Sequence, residues 1–322
     1  ENDLQIDRLQ FSPDDVEGLV ITYAIQNNGN SKLEGSFQIE FQSDLRPTWL
    51  GERTDMIDAQ DSAYFDKAAS QWVFKDKDNP WFSLVQSSTS VDTTFTVTNS
   101  RLGMGASGVM ELPMSVEAGS TQFLTYYISG SYTGKENAQK NMKALVGKEV
   151  DAFERKKQRY QSFADMTQLT TPDEDLNQTF TWLKYNADWF VRTVPEIGTG
   201  IAAGYPDYPW WFGCDSEYAL QGYMAIGQYK TALKTLKLLY ELSEKENGNG
   251  RIVHEISSNG AVFNPGNINE TPQFPTIIWD VYLWTGDKAL LEAYFPTIQK
   301  GLTWLLEEND EDGDLLPEGA GM

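Results

Sequence analysis

The stretch Ala203-Gly204-Tyr205-Pro206-Asp207-Tyr208-Pro209-Trp210-Trp211-Phe212-Gly213-Cys214-Asp215-Ser216-Glu217-Tyr218-Ala219-Leu220 gathers six aromatic rings and several carboxylates, and no Lys or Arg falls between Glu196 and Gly222. Such a segment suits sugars: aromatic faces stack on their C–H groups, and a carboxylate accepts paired hydrogen bonds from neighbouring hydroxyls. Tyr205, Trp210, Trp211 and Asp215 are the candidate sugar-binding residues. A structural alternative is a buried aromatic loop with Asp215 as N-cap of the helix that follows. The two are compatible, because a capping carboxylate keeps one oxygen for a ligand.

A second group lies in Gly250-Arg251-Ile252-Val253-His254-Glu255-Ile256, where His254 and Glu255 follow a glycine-rich turn. The imidazole could bond a sugar hydroxyl or satisfy a loop carbonyl. The third is the acidic turn Asn309-Asp310-Glu311-Asp312-Gly313-Asp314, continued by Leu315-Leu316-Pro317-Glu318-Gly319. Its spacing is not that of an EF-hand loop, which takes alternating ligands and a Glu about twelve residues from the start, so no metal site is expected. Glu318, between Pro317 and Gly319, is a carboxyl close to apolar neighbours, the setting that raises a pKa.

Composition removes other chemistries. The 322 residues carry 25 Lys and Arg against 47 Asp and Glu, a formal charge of -22 that repels phosphate backbones and anionic lipid. Cys214 is the single cysteine and His254 the single histidine. An intramolecular disulfide framework, a thiolate metal site and any mechanism with two imidazoles are excluded, which leaves catalysis to carboxylates. No cofactor is expected, nor a nucleic-acid or membrane partner. No apolar run reaches the roughly 18 to 20 residues of a membrane span, and Glu1 reads as a mature or trimmed start.

The elements that would carry these groups fall into two kinds. Apolar residues alternate in Leu19-Ile21-Tyr23-Ile25, Phe37-Ile39-Phe41, Phe95-Val97 and Leu124-Tyr126-Ile128, with turns at Asn27–Asn30 and Ala118–Ser120. These are antiparallel strands of a sandwich. From Lys135 to Phe163 a charged stretch takes helical spacing, and Thr171-Pro172-Asp173-Glu174 predicts a helix start with Thr as N-cap. That helix runs to about Val194, and four more are expected over 216–227, 229–245, 272–285 and 289–308. Residues 171–309 should be almost wholly helical, and a strand-rich segment there would speak against a barrel. Trp279, Trp284 and Trp304 are expected in the core. Long connections at 195–215 and 247–270 alternate with a short Gly286-Asp287 turn, as in helical hairpins whose long loops gather at one end.

The expected architecture is multidomain β + α: an N-terminal antiparallel β-sandwich (1–133), a helical linker (134–170), and the first part of an (α/α)6 toroid (171–322). An open helical array is the alternative. Five helices do not close such a barrel, so the chain is expected to be part of a longer protein.

Gly204-Tyr205-Pro206 and Pro209-Trp210-Trp211-Phe212-Gly213-Cys214-Asp215 resemble the Gly-Tyr-Pro-Trp-Phe and Gly-Arg-Asp signature of bacterial and archaeal glycogen-debranching enzymes of the amylo-α-1,6-glucosidase type, relatives in barrel architecture of glucoamylases. Gly250–Ile256 is similar to the Gly-Arg-Ile-Pro-His-Glu run of that family, Asn269–Phe274 to its Asp-Thr-Thr-Pro-Leu-Phe entry, and Tyr282–Asp287 to its Tyr-Leu-Trp-Thr-Gly-Asp run. Asp44–Gly51 adds weaker support. The resemblance implies a glycoside hydrolase acting on α-glucans or oligosaccharides. Asp215 would hold hydroxyls of the glucose at the cleavage subsite, joined by His254 and Glu255. Cys214 stands where the family often has Arg, so a forked cationic donor is missing. Because the acid of glucoamylase-like barrels follows the fifth helix, Glu318 becomes the candidate general acid of an inverting mechanism, with the base beyond residue 322. A chain stopping there is not expected to turn over α-glucans alone. Two alternatives stay open: a related (α/α)6 glycosidase for another sugar (α-mannosidase, trehalase or α-L-rhamnosidase), and a non-catalytic carbohydrate-binding protein.

Overall fold

The computed structural model describes residues 3–89, 91 and 104–319. The strand expected at Phe95 and Val97 lies outside the described residues, as do Ala320, Gly321 and Met322. Two compact units are present: Glu1–Pro47 with Ile57–Arg159, and Thr48–Met56 with Tyr160–Met322.

The first unit is antiparallel β-structure. Strands β1 (Leu4–Phe11), β2 (Gly18–Asn27), β3 (Leu33–Ser43), β4 (Asp61–Asp66), β5 (Gln71–Asp76), β6 (Phe82–Ser87), β7 (Ala106–Val116) and β8 (Thr121–Ser131) form a six-stranded sheet of order β1-β2-β8-β6-β5-β4 and a β3-β7 ribbon. Alternation gives each strand two faces. Ile25, Trp72, Phe74, Val85, Leu124 and Tyr126 on one face of the sheet share a core with Phe41, Met110, Leu112 and Val116 of the ribbon. A glycine permits part of this contact: a Cβ on Gly108 would sit 2.7 Å from the Trp72 ring. Val20, Val73, Leu84 and Tyr127 face the other way, onto Ala138, Met142 and Leu145 of helix α1 (Lys135–Leu145). Strand β5 is therefore covered on both faces and reads as a continuous apolar run, Trp72-Val73-Phe74, instead of an alternation. The charged connector is two helices, α1 and α2 (Glu149–Asp165), with Gly147 in a left-handed conformation between them.

In the second unit, helices α3 (Glu174–Trp189), α4 (Gly213–Ala225), α5 (Tyr229–Glu246), α6 (Glu270–Thr285) and α7 (Lys288–Thr303) lie near the expected spans, except that α3 ends at Trp189 and the expected last turn to Val194 is extended. Leu220, Met224, Leu236, Phe274, Ile277, Ile278, Val281 and Tyr294 form their common core. The Gly286-Asp287 turn works as its residue types suggest. Gly286 closes α6 in a left-handed conformation, its N–H donating to the Tyr282 carbonyl, and Asp287 accepts from the Ala289 N–H to cap α7. At α3 the cap is Asp173, which accepts from the Leu176 N–H at 3.1 Å, not Thr171, whose N–H and hydroxyl are held by Asn177.

The expectation of an almost wholly helical 171–309 is corrected. Strands β9 (Val191–Val194), β10 (Gly198–Gly204), β11 (Tyr208–Phe212), β12 (Glu255–Ile256) and β13 (Val262–Asn264) form a five-stranded sheet of order β13-β12-β11-β10-β9. Both long connections thus contribute strands to one sheet, the first through β10 and β11 and the second through the short β12 and β13. Their β-branched and aromatic content favours extended backbone, and each pairs with the other across the helices that separate them in sequence. By the criterion set from sequence, this stretch does not itself display a barrel. Trp304 is buried, whereas Trp279 and Trp284 are half exposed on α6, not in the core.

Candidate functional site

Asp215, His254, Glu255 and Glu270 come together where α4, the β12 strand and α6 begin. β11 runs without a loop into α4, whose N-cap is Phe212, so Asp215 is not the cap. It stands instead in the first turn, exposed, where the helix dipole favours a carboxylate. Gly213 makes the junction possible: its N–H donates to the His254 carbonyl at 2.8 Å, and a side chain there would strike the Val253 carbonyl and come within 3.0 Å of Glu270 Cγ. Three segments distant in sequence can therefore touch.

His254 is buried and paired. Its Nδ1 lies 2.5 Å from Glu270 Oε1, and Glu270 Oε2 accepts from the Asn267 N–H at 2.7 Å. Its Nε2 points to Glu255 Oε1 at 3.8 Å, and Phe212 presents an edge to the ring. Burial alone would lower the imidazole pKa, but the bond to Glu270 and the charges of Glu270, Glu255 and Asp215 outweigh it and raise the pKa. Glu270 moves the other way: burial raises it, and His254 with two backbone N–H groups brings it below the usual carboxylate range. Both shifts favour a charged pair. Burial, with Asp215 and Glu270 adding to it, raises Glu255 despite the His254 charge. Asp215, His254 and Glu255 thus share one electrostatic neighbourhood.

Two further acidic features went unread in the sequence. Glu270 is the partner of His254, which no local spacing revealed. Glu217, 3% exposed, has neither carboxylate oxygen hydrogen-bonded, and burial followed by the Glu270 charge holds its pKa well above the ordinary range. Burial without a partner thus disfavours its ionised form. Cys214 is buried against Gln273 Oε1, itself part of an amide whose nitrogen donates to the Tyr218 hydroxyl. Burial and the surrounding carboxylates push the thiol up to about 11, so it is not a ready nucleophile.

Trp210 and Trp211 do not face solvent. Both are 0% exposed, because β11 lies between β10 and β12 and is covered on its two faces. Trp211 packs with Leu238, Leu239, Val253 and Ile256. Trp210 meets Trp49 and Phe263. Their expected stacking on sugar is corrected accordingly, while Tyr205 is exposed in the β10-β11 turn. The cation-free stretch has also acquired a cation: Arg192 of β9 donates to the Pro209 carbonyl at 2.7 Å and lies over the Trp211 ring.

A cavity of about 620 Å³ opens beside Asp215, lined by Leu183, Ala187, Phe190, Ser216, Tyr218 and Tyr223 among others. His254, Trp210 and Trp211 do not line it. Glu318 is not an isolated carboxyl. Its Oε2 accepts from the Glu311 N–H at 2.6 Å, and Asp310, Asp312, Asp314 and Glu318 each bring an oxygen within 4.8 Å of the others. The acidic turn folds back on itself, so the spacing rule from sequence did not anticipate this gathering.

No family model matches the chain, and no curated protein matches its sequence. Among the described residues no helix is long and apolar enough to cross a membrane. Solved structures do share the fold. A kojibiose phosphorylase from the human microbiome superposes with a TM-score of 0.68 at 12% identity, over 97% of this chain and 44% of the other. A bacterial glucoamylase in complex with acarbose superposes with a TM-score of 0.50 at 11% identity, over 95% and 46% respectively. This chain thus spans less than half the length of either carbohydrate-active enzyme, and an N-terminal antiparallel β-unit followed by helices is the arrangement it has in common with them.

Proposed function

We propose that this chain is part of an α-glucoside hydrolase with an (α/α)6 toroid, and that Asp215, His254 and Glu255 form its glucose subsite. The observation that supports this best is the meeting of the three residues at the starts of α4, β12 and α6, with Asp215 exposed and His254 fixed by Glu270. An exposed carboxylate accepts two sugar hydroxyls, and a held imidazole supplies direction. Glu318 is the proposed general acid on the ground of the family resemblance, and the base is proposed to come from sequence beyond this stretch.

Phosphorolysis is the second reading, suggested by the fold shared with a phosphorylase. The charges favour water. Asp215, Glu255 and Glu270 crowd this end of the helices, and a dianionic phosphate would meet their field. Glucose release from maltotriose and panose by the full-length protein, with and without inorganic phosphate, decides between them. Hydrolysis gives glucose at a rate independent of phosphate, and Asp215→Asn lowers kcat/KM by at least about a hundredfold, the loss of about 3 kcal/mol of charge-assisted contacts. Glucose 1-phosphate formed only with phosphate would establish the phosphorylase. Binding of maltotriose without turnover would establish a non-catalytic binder.

A further inference from the structure

We infer that Trp49 is a sugar-stacking residue of this site, holding the second ring of an oligosaccharide whose first ring rests on Asp215, His254 and Glu255. The inference deepens the proposed function and rests on it. Segment Thr48–Met56 leaves the β-unit in sequence and belongs to the helical unit in space. It is tied there at both ends: Thr48 Oγ1 lies 2.6 Å from Ser258 Oγ, and Asn259 Nδ2 donates to the Thr54 carbonyl at 2.9 Å. Leu50 and Asp55, with φ of 51° and 67°, hold left-handed conformations that non-glycine residues adopt at a cost. Such backbone persists where the surroundings over-determine it, and it clusters at ligand sites.

The strap presents one indole. Trp49 is half-buried, with ring centroids 4.7 Å from Tyr208, 5.2 Å from Trp210 and 6.4 Å from Phe212, at interplanar angles of 55°, 63° and 39°. No neighbour stacks parallel on it, and its Nε1 has no hydrogen-bond partner among the described residues. Tyr208 and Phe263, 51% and 40% exposed, extend an aromatic shelf around it. The shelf reaches the polar groups directly: Phe212 touches Trp49 on one side and the His254 ring, 5.8 Å away, on the other. A partly exposed indole whose N–H is free among the described residues is what a pyranose takes. Trp210 and Trp211 lack that face.

Oxidation by N-bromosuccinimide, mapped by peptide mass spectrometry, reads Trp49 in the wild-type protein. Saturating maltotriose should protect Trp49 at least fivefold and leave the exposed Trp182, Trp189, Trp279 and Trp284 unchanged. In calorimetry, Trp49→Ala should weaken maltotriose binding tenfold or more and methyl α-glucoside less than twofold, while Trp49→Phe restores most of the affinity. Unprotected Trp49, or equal losses for both sugars with Trp49→Ala, overturns the inference. Asp215→Asn separates the two proposals. If it abolishes binding of both sugars while Trp49→Ala is silent, only the stacking role falls. If the wild-type protein binds neither sugar, the glucoside reading falls and the stacking role with it.

Discussion

Glu270→Gln is the substitution that tests the construction of the site most directly. Glu270 is fully buried, and its two oxygens are both used: one by His254 Nδ1 at 2.5 Å, one by the Asn267 N–H at 2.7 Å. A glutamine keeps the shape but has a single acceptor, so its amide N–H group must face either His254 or Asn267. Losing one charge-assisted bond and leaving a buried donor unpaired costs about 3 to 4 kcal/mol. For a unit of this size that is a fall of roughly 6 to 16 °C in the melting of the helical unit. The pH dependence gives a second handle. His254 has a raised folded pKa, so its contribution is complete below its unfolded value of 6.5 and is lost as pH rises through the folded value. Glu270 has a lowered folded pKa, so its contribution is present above 4.5 and is lost as pH falls through the folded value. The wild-type advantage should be greatest between those two unfolded values and shrink toward pH 9. Differential scanning calorimetry of both proteins from pH 4 to pH 9 makes the measurement. A variant that melts within 2 °C of wild type at pH 5.5, or a gap that widens with pH, would refute the charged pair.

Three further outcomes are expected. Glu217→Gln removes a buried acid that must stay neutral, so melting should be unchanged near pH 4 and higher by about 1 to 3 kcal/mol at pH 8; a loss of stability at pH 8 would show a partner for Glu217. Lys184 is buried and its Nζ donates to the Ala164 and Thr167 carbonyls at 2.7 Å each, so Lys184→Met should cost about 2 to 4 kcal/mol, measured by urea unfolding. In the full-length protein, Glu318→Gln should lower kcat more than about a hundredfold on poor leaving groups and far less on a glucosyl fluoride. Equal losses on both would assign Glu318 to folding of the acidic turn.

What the sequence determined about this protein is what neighbours along the chain decide. Period-two alternation in Leu19–Ile25 and Leu124–Ile128 sufficed for antiparallel strands, and the Gly286-Asp287 pair sufficed for a helix stop and start, because each depends on a few adjacent dihedrals and one or two local bonds. The donor and acceptor capacity of Asp215 and His254 was legible for a similar reason: residue types fix what a group can donate or accept. Burial was not legible. Trp210 and Trp211 look alike whether they stack on sugar or fill a core, and only the pairing of β11 between β10 and β12 shows that both faces are covered. Tertiary structure likewise chose Glu270 as the partner of His254, brought Arg192 to a stretch without cations, and carried Trp49 from the β-region into the helical unit. Each of these contacts joins residues whose separation in sequence says nothing of their separation in space, since which surfaces meet is settled by the collective packing of strands and helices rather than by local conformational preference.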